Sequence, residues 1–556
     1  MDRPERQGEI IHKEMGGFGA ASEDIQVDII IAVHNAEDTI EEAVRSAMEQ
    51  VIPSEWKWWE KGPDDVFDIY YDSVIALEVN VCCYDDASTD GTLSVLRRLS
   101  EEYEKTSDWY TNNHRTLDDV KHHRSRGGST IKTRLLIGAA DPGTSSRGAG
   151  YARNRAVELR RKTNESATRY IPRVDYQFLC ILDADDIMHP TRIAEQSRAM
   201  HGIFPDDKRD MTLMGCQFDR LPVDSTQHYS TWANTITDAR LYLERYRECT
   251  LIQPTWFMSR VLFERLGGYL EAPLPISLED TYQRPEKRVK VITDAHETDD
   301  HYRLIHPSEI GNSFDINNSS SLRLAEDIRF FYAHLRAGGK LHLHRTKVPL
   351  VTYRHREGMS QSTNTSRKLL LHLRAKAWED AVFHGESSTL WKNGFAVWGA
   401  GRDGKDFIKA LSPEVVSKIV CLVDVDEKKI DLIKYYENPD LLGKGKRIPI
   451  LHFSVLAKDE KVVVTKFGRI DKKTNGEDNF AQQSNEDVDV DEPASKSGER
   501  KIIHDKRDKK HEPIDPKVLR QLPVVVCVAM YRTNGALESN VASIGRIEGN
   551  DLWHVI

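Results

Sequence analysis

The sequence predicts an α/β protein built around two separate sheets. Apolar runs that stop abruptly at polar turns recur in the first part of the chain. Val27 to Val33 ends in His34-Asn35, the run from Leu77 ends in Asp85-Asp86, and Tyr176 to Leu182 ends in Asp183-Ala184-Asp185-Asp186. The first two turns lead into stretches whose apolar residues recur at helical spacing. After Lys392 a similar pattern starts afresh, with GFAVWGAGRDGKDFIKAL and then KIVCLVDVDEKKI. Apolar strands without polar alternation suit parallel sheets covered on both faces, and such sheets take ligands beyond the carboxyl ends of their strands.

The first unit is a strand, the His34-Asn35 turn and a helix with Ile40, Val44, Ala47 and Met48 on one face. In the second, Ser88, Thr89, Asp90 and Gly91 supply the short polar side chains and the glycine that a tight turn and a helix cap need, and Leu93, Leu96 and Leu99 follow on a helix. The third strand runs into three carboxylates. Held this close they repel one another unless a divalent cation neutralises them. The alternative is an acidic turn that caps a helix beginning near His189-Pro190. Three such turns on one sheet would gather His-Asn, Asp-Asp and Asp-Ala-Asp-Asp along a single edge.

Composition bounds the function. With 556 residues, 39% of them apolar, the chain has material for two or three real cores. No apolar run approaches the roughly 20 residues that span a bilayer, and MDRPERQGEIIHKEM lacks the apolar centre of a secretory signal. Seven scattered cysteines without a Cys-x-x-Cys spacing suggest neither disulfides nor zinc, so a reducing, cytoplasmic setting is expected. The net charge of -10 speaks against a protein that simply coats nucleic acid. Two basic runs, Lys121-His122-His123-Arg124-Ser125-Arg126 and Arg160-Arg161-Lys162, are open to two readings, a local RNA track or solvated faces.

Charge and complexity divide the chain into a flexible arm over 1–24, a first domain over 25–385 with polar inserts near 108–132 and 283–302, and a second over 392–556. The second domain carries a charged, low-complexity insert at about 468–519 that is expected to be disordered. The strands flanking that insert, KVVVTKF and LPVVVCV, are expected side by side in one sheet. Its opening turn, Gly399-Ala400-Gly401-Arg402-Asp403-Gly404, has Asp424 about 20 residues beyond, the spacing of a dinucleotide-binding unit. The same glycines also serve close helix-to-sheet packing without any ligand. Oligomeric state is not legible here.

The order AVHNAEDTIEEAVRSAMEQ, YDDASTDGT, GAGYARNRAVE (Gly148 to Glu158) and ILDADD resembles the GT-A fold of the inverting glycosyltransferase family 2, over Val27 to about Ser362. The stretches IQPTWFMSR, AEDIRFFYAHLRAGG and YRHREGMSQS, with the extra C-terminal domain, are similar to the eukaryotic queuosine-tRNA galactosyltransferases, first labelled beta-1,3-N-acetylglucosaminyltransferase-like. The resemblance implies a GT-A nucleotide-sugar-binding domain followed by a Rossmann-like α/β domain, a UDP-galactose donor, tRNA as acceptor, and Mn²⁺ or Mg²⁺. The oxygen-rich donor set fits these hard cations better than zinc.

Residue by residue, the resemblance makes Asp183 and Asp185 the cation ligands, with Asp186 in support, and has His355 reach the diphosphate or metal. Asp86 accepts from the uracil N–H. His34 stands where the base stacks, with Ala32 and Asn35 alongside, and Arg153 lies near the nucleotide together with Asp183. Asp327 is the general base and Glu326 orients the sugar. Both acids also suit the first turn of a helix, whose dipole they complement. A second Glu-Asp pair, Glu279-Asp280, lacks the aromatic helix behind it. Trp232 and Trp256 are open to a sugar-facing or a core role. Two other readings stand beside this one: transfer of N-acetylglucosamine or another hexose to a glycan or protein, and a non-catalytic nucleotide-sugar-binding scaffold.

Overall fold

The structure is a computed structural model. It describes residues 24–53, 76–105, 111–112, 130–165, 176–223, 225–271, 324–355, 365–385, 388–458, 514–529 and 535–556. The N-terminal arm up to 23, the insert near 283–302, the Glu279-Asp280 pair, the basic run 121–126, the strand KVVVTKF and most of the charged insert lie outside the described residues. Contacts divide the chain into two units, 1–381 and 382–556.

In the first unit the expected α/β class holds. Its main sheet contains β1 (Asp24–Val33), β2 (Ala76–Asp85), β3 (Thr111–Asn112), β4 (Thr130–Ala139) and β5 (Tyr176–Asp183). After β6 (Ile187–Met188) come β7 (Thr212–Cys216), β8 (Phe218–Leu221), β9 (Phe257–Ser259), β10 (Lys340–His344) and β11 (Val351–Arg354). The main sheet runs β10-β7-β9-β5-β1-β2-β4-β3, and β6-β11-β8 form a small second sheet. Strands β5, β1, β2 and β4 are mutually parallel. Within the polar insert read over 108–132, β3 pairs antiparallel with the start of β4.

Alternation sends Ile25, Val27, Ile29, Ile31 and Val33 to one face of β1. There they form a core with α1 (Ile40–Met48), α2 (Thr92–Lys105) and α4 (Arg192–Ile203), through Val44, Leu96, Leu99 and Met200. Each fully buried aliphatic side chain of this kind contributes about 1.5–3 kcal/mol. The opposite face, toward α3 (Ala149–Glu165), departs from the expected apolar strand. Asp28 is buried there, accepting from Asn80 Nδ2 at 2.6 Å and from Arg260, with Arg160 Nε 3.4 Å away. Arg160 turns inward to Gln26 and Gln177, and Arg161 pairs with Glu264. These two arginines therefore form no open basic track.

The second unit holds β12 (Phe395–Trp398), β13 (Ile419–Asp424), β14 (Tyr435–Glu437), β15 (Arg447–His452), β16 (Val524–Val526) and β17 (Leu552–His554). Their order is β14-β15-β13-β12-β16-β17, all parallel except β14. The chain starts in the middle, moves outward on one side, then crosses to the other, as a Rossmann-like sheet does. A methyl group on Gly404 would lie 1.8 Å from the Gly399 carbonyl oxygen, so helix and turn touch. Asp424 is spent on the chain itself: Oδ2 accepts from Ala400 N and Lys429 Nζ, and Oδ1 from Val425 N and Asp426 N. The sequence carries the charged insert to 519, but Pro516–Leu519 is a helical turn in which Leu519 is buried in the core of this unit while Val518 stays exposed.

Candidate active site at the carboxyl ends of the central strands

Register brings the three polar turns together. Ala32 in β1 lies opposite Tyr84 in β2 and Asp183 in β5, and Val33 lies opposite Asp85. The turns after β1 and β2 are then tied to each other. Asn35 takes a left-handed conformation, φ 49°, its N–H donates to Ser88 Oγ at 2.9 Å, and its Oδ1 accepts from Thr89 N at 2.8 Å. His34 Nδ1 meets the Asp86 carbonyl oxygen at 2.9 Å, which requires the proton on Nδ1. Asn35 thus holds the two turns together while its residue stays exposed.

Asp86 is 1% exposed. Its Oδ2 accepts from Ser146 Oγ at 2.7 Å, Arg147 N at 2.8 Å and Gly148 N at 2.7 Å, which anchors the start of α3 beneath it. Its Oδ1 is also out of water and has no hydrogen-bond partner among the described residues. A buried acceptor left this way costs about 1–3 kcal/mol, and a ligand N–H is its natural complement.

One carboxylate oxygen each from Asp183, Asp185 and Asp186 lie within 4.8 Å of one another. Asp186 is fully buried. Burial, then the charges of Asp183 and Asp185, push its carboxyl well above the usual range. Its Oδ1 accepts from Arg354 N at 2.9 Å, while Oδ2 is buried without a partner. Three oxygen donors at this spacing, one of them orphaned, fit a hard divalent cation of the Mn²⁺ or Mg²⁺ kind. Sequence reasoning gave Asp186 only a supporting part; here it is a full member of the cluster. His355 does not belong to it, and its backbone N–H donates to Leu221 O at 2.8 Å.

Arg153, in α3, connects this cluster to the helix Glu326–Arg336. It donates from Nη2 to Asp183 Oδ1 and from Nη1 to Glu326 Oε1, both at 2.7 Å. Burial opposes its charge, but the two carboxylates outweigh burial and raise its pKa. Gly150 makes the approach of that helix feasible, since a methyl there would meet Tyr269 Cβ at 3.2 Å and Glu326 Cβ at 3.3 Å. Asp327 stands beside Glu326, its carboxyl pushed up to about 7 by burial first and by the Glu326 charge second. Its Oδ1 accepts from Ile328 N at 2.7 Å.

Several supporting residues escaped the sequence reading. Asn154 donates to Tyr269 O and to Glu271 Oε1, both at 2.8 Å, and Arg155 pairs with Glu271 at 2.7 Å. The alternation of Arg and Asn in YARNR was a signal for them. Trp256 is fully buried against Phe330, with Nε1 donating to Leu251 O, and Trp232 donates to Glu244 Oε2. Both indoles thus have their N–H spent on neighbours within the fold.

No family model matches this chain. Among solved structures it is similar to S. aureus TarS 1-349 in complex with UDP-GlcNAc, at 15% identity and a TM-score of 0.35 over 71% of this chain and 84% of that one. The same TarS segment in complex with UDP gives 14% identity and a TM-score of 0.31 over 71% and 83%. At such values the roles of the residues rest on the geometry alone.

Proposed function

We propose that this chain is a metal-dependent, inverting glycosyltransferase of the GT-A kind that uses a UDP-sugar and, as the resemblance of its motifs implies, moves galactose to queuosine in a tRNA. One observation carries the transferase reading: the register of β5, β1 and β2 sets a cation-type acid cluster and the unpartnered acceptor of Asp86 at the same edge of one sheet. A nucleotide sugar needs both, an acceptor for its base and a counter-charge for its diphosphate. Asp86 Oδ1 would take the uracil N–H. Asp183 and Asp185, with Asp186, would hold the cation, which when bound offsets the charge that grows on the leaving diphosphate.

Arg153 pairs with both Asp183 and Glu326, which ties acids of two distant segments to each other. Asp327 would take the proton of the acceptor hydroxyl. A carboxyl that titrates near neutrality suits that task, because it is half in its basic form at pH 7 yet strong enough to accept a proton.

The test is to incubate the purified protein with Mn²⁺, a panel of UDP-sugars and queuosine-containing tRNA, then to digest the tRNA and weigh its nucleosides by mass spectrometry. Hexose on queuosine with UDP-galactose alone is the expected result. Consumption of UDP-N-acetylglucosamine without change in the tRNA would point to a glycan or protein acceptor. Nucleotide binding without any turnover would leave a scaffold.

A further inference from the structure

A guanidinium that has no carboxylate partner among the described residues stands next to the acid turn. β8 and β11 run parallel with Arg220 in register with Tyr353. The next residue of β11, Arg354, gives its N–H to Asp186, and β11 also pairs with β6, which begins directly after Asp186. Arg220 is therefore carried on the small sheet that flanks the acid cluster.

Three rings hold it there. Its Cζ lies 4.0 Å from the Tyr353 ring centroid, 5.6 Å from Phe218 and 5.7 Å from Tyr229. Aromatic faces attract the cation but accept none of its five in-plane N–H donors. Its Nε is out of water with no hydrogen-bond partner, and among the described residues no carboxylate forms an ion pair with it. Arg153 and Arg260, by contrast, are each met by a carboxylate. The positive charge of Arg220 reaches the cluster all the same, opposing the burial that pushes Asp186 and Tyr353 up.

A caged, oriented fork of donors that lacks an acceptor, set beside acids suited to a cation, is the complement of an oxyanion that shares that cation. We propose that Arg220 binds the diphosphate of a nucleoside diphosphate sugar and steadies the nucleoside diphosphate as it leaves. This rests on the donor reading above. In the transfer, the bond from the anomeric carbon to the diphosphate oxygen breaks and its electron pair stays on that oxygen. A bond from the acceptor oxygen to the same carbon forms, and the acceptor's proton passes to Asp327. The diphosphate gains one negative charge, and Arg220 meets it already oriented by Tyr353, with little reorganisation at the moment of reaction.

Calorimetric titration of the full chain with uridine, UMP and UDP, each with Mn²⁺, tests this in wild type, Arg220→Met and Arg220→Lys, with thermal melts alongside. UDP affinity should fall roughly 10- to 100-fold in Arg220→Met and by less in Arg220→Lys, which keeps the charge without the planar fork. Uridine affinity should not change. Equal losses for uridine and UDP, or undiminished UDP affinity, would reduce Arg220 to a packing residue and overturn the proposal. Should Arg220→Met fail to fold, Arg220→Lys decides by the same ratio. Absence of uridine and UDP binding in the wild type would sink the donor reading itself, and this proposal with it.

Discussion

Glu326 and Asp183 share one guanidinium: Arg153 reaches each at 2.7 Å, with its own side chain only 4% exposed. The first turn of one helix and the end of β5 are thereby held at a fixed separation. Removing one partner from a buried charge group typically costs about 3–5 kcal/mol, because the carboxylates left behind are neither solvated nor paired. Arg153→Met should fall toward the lower end, since Asp183 is 27% exposed and can recover some water. Urea denaturation measures it, and the double variant with Glu326→Gln should be less destabilised than the two single effects summed.

The raised pKa of Asp327 fixes a pH profile. In the proposed role of base it must be deprotonated, so kcat/KM should rise about tenfold per pH unit below 7 and level off above it. Asp327→Asn should lose on the order of 10²–10⁴-fold in rate and flatten the acid limb. Stability has the opposite sense. A carboxyl whose folded pKa exceeds its unfolded value binds more protons when folded, so its contribution falls as pH rises from about 4 to 7. Asp327→Asn should therefore gain in melting temperature relative to wild type at pH 8 more than at pH 5.

The two oxygens of Asp86 differ: Oδ2 holds the start of α3, and Oδ1 is the one proposed for the base. Asp86→Ala deprives Ser146 Oγ, Arg147 N and Gly148 N of their acceptor and should cost about 1–3 kcal/mol in stability as well as nucleotide binding. Asp86→Asn retains one oxygen and the shape, so uridine affinity should fall by about tenfold with a smaller loss of stability. Calorimetry and denaturation on the same two variants separate the effects.

Asp185→Asn removes one of three mutually repelling carboxylates. Without added metal the variant should be as stable as wild type or more so, because like-charge repulsion is relieved. Its melting temperature should no longer rise with Mn²⁺ and UDP, and its turnover should vanish. A variant that keeps full metal-dependent activity would remove Asp185 from the site.

In the second unit the glycines differ in duty. Gly404→Ala would drive a methyl into the Gly399 carbonyl oxygen, and the turn must shift, at a cost of roughly 2 kcal/mol or more. Gly401→Ala meets nothing nearer than Lys429 Nζ at 3.7 Å and should change stability by less than about 1 kcal/mol. Hydrogen exchange on strands β12 and β13 reads the difference within this unit.

Much of this was readable in advance. The apolar period of Val27 to Val33, the helix face of Ile40, Val44, Ala47 and Met48, and the short polar residues from Ser88 to Gly91 are local signals, and local backbone preference decides them. Asp28 was not readable. Within VDIII it looks like a flaw in an apolar strand, and only partners far along the chain, Asn80, Arg160 and Arg260, show why burial is tolerated.

The chain's order alone settled the central strands β1, β2 and β5 and the helices after the first two, because propensity, alternation and turn chemistry act over a few neighbours. It also placed the polar residues of three turns, two of them acidic, at strand ends, where a parallel sheet must gather them. What folding decided was the pairing of charge: Arg153 between Asp183 and Glu326, Arg160 turned toward Gln26, and Arg220 left among aromatic rings. A charged group chooses its partner by distance in space and by the water it loses, and neither quantity is written in the spacing of residues along a chain.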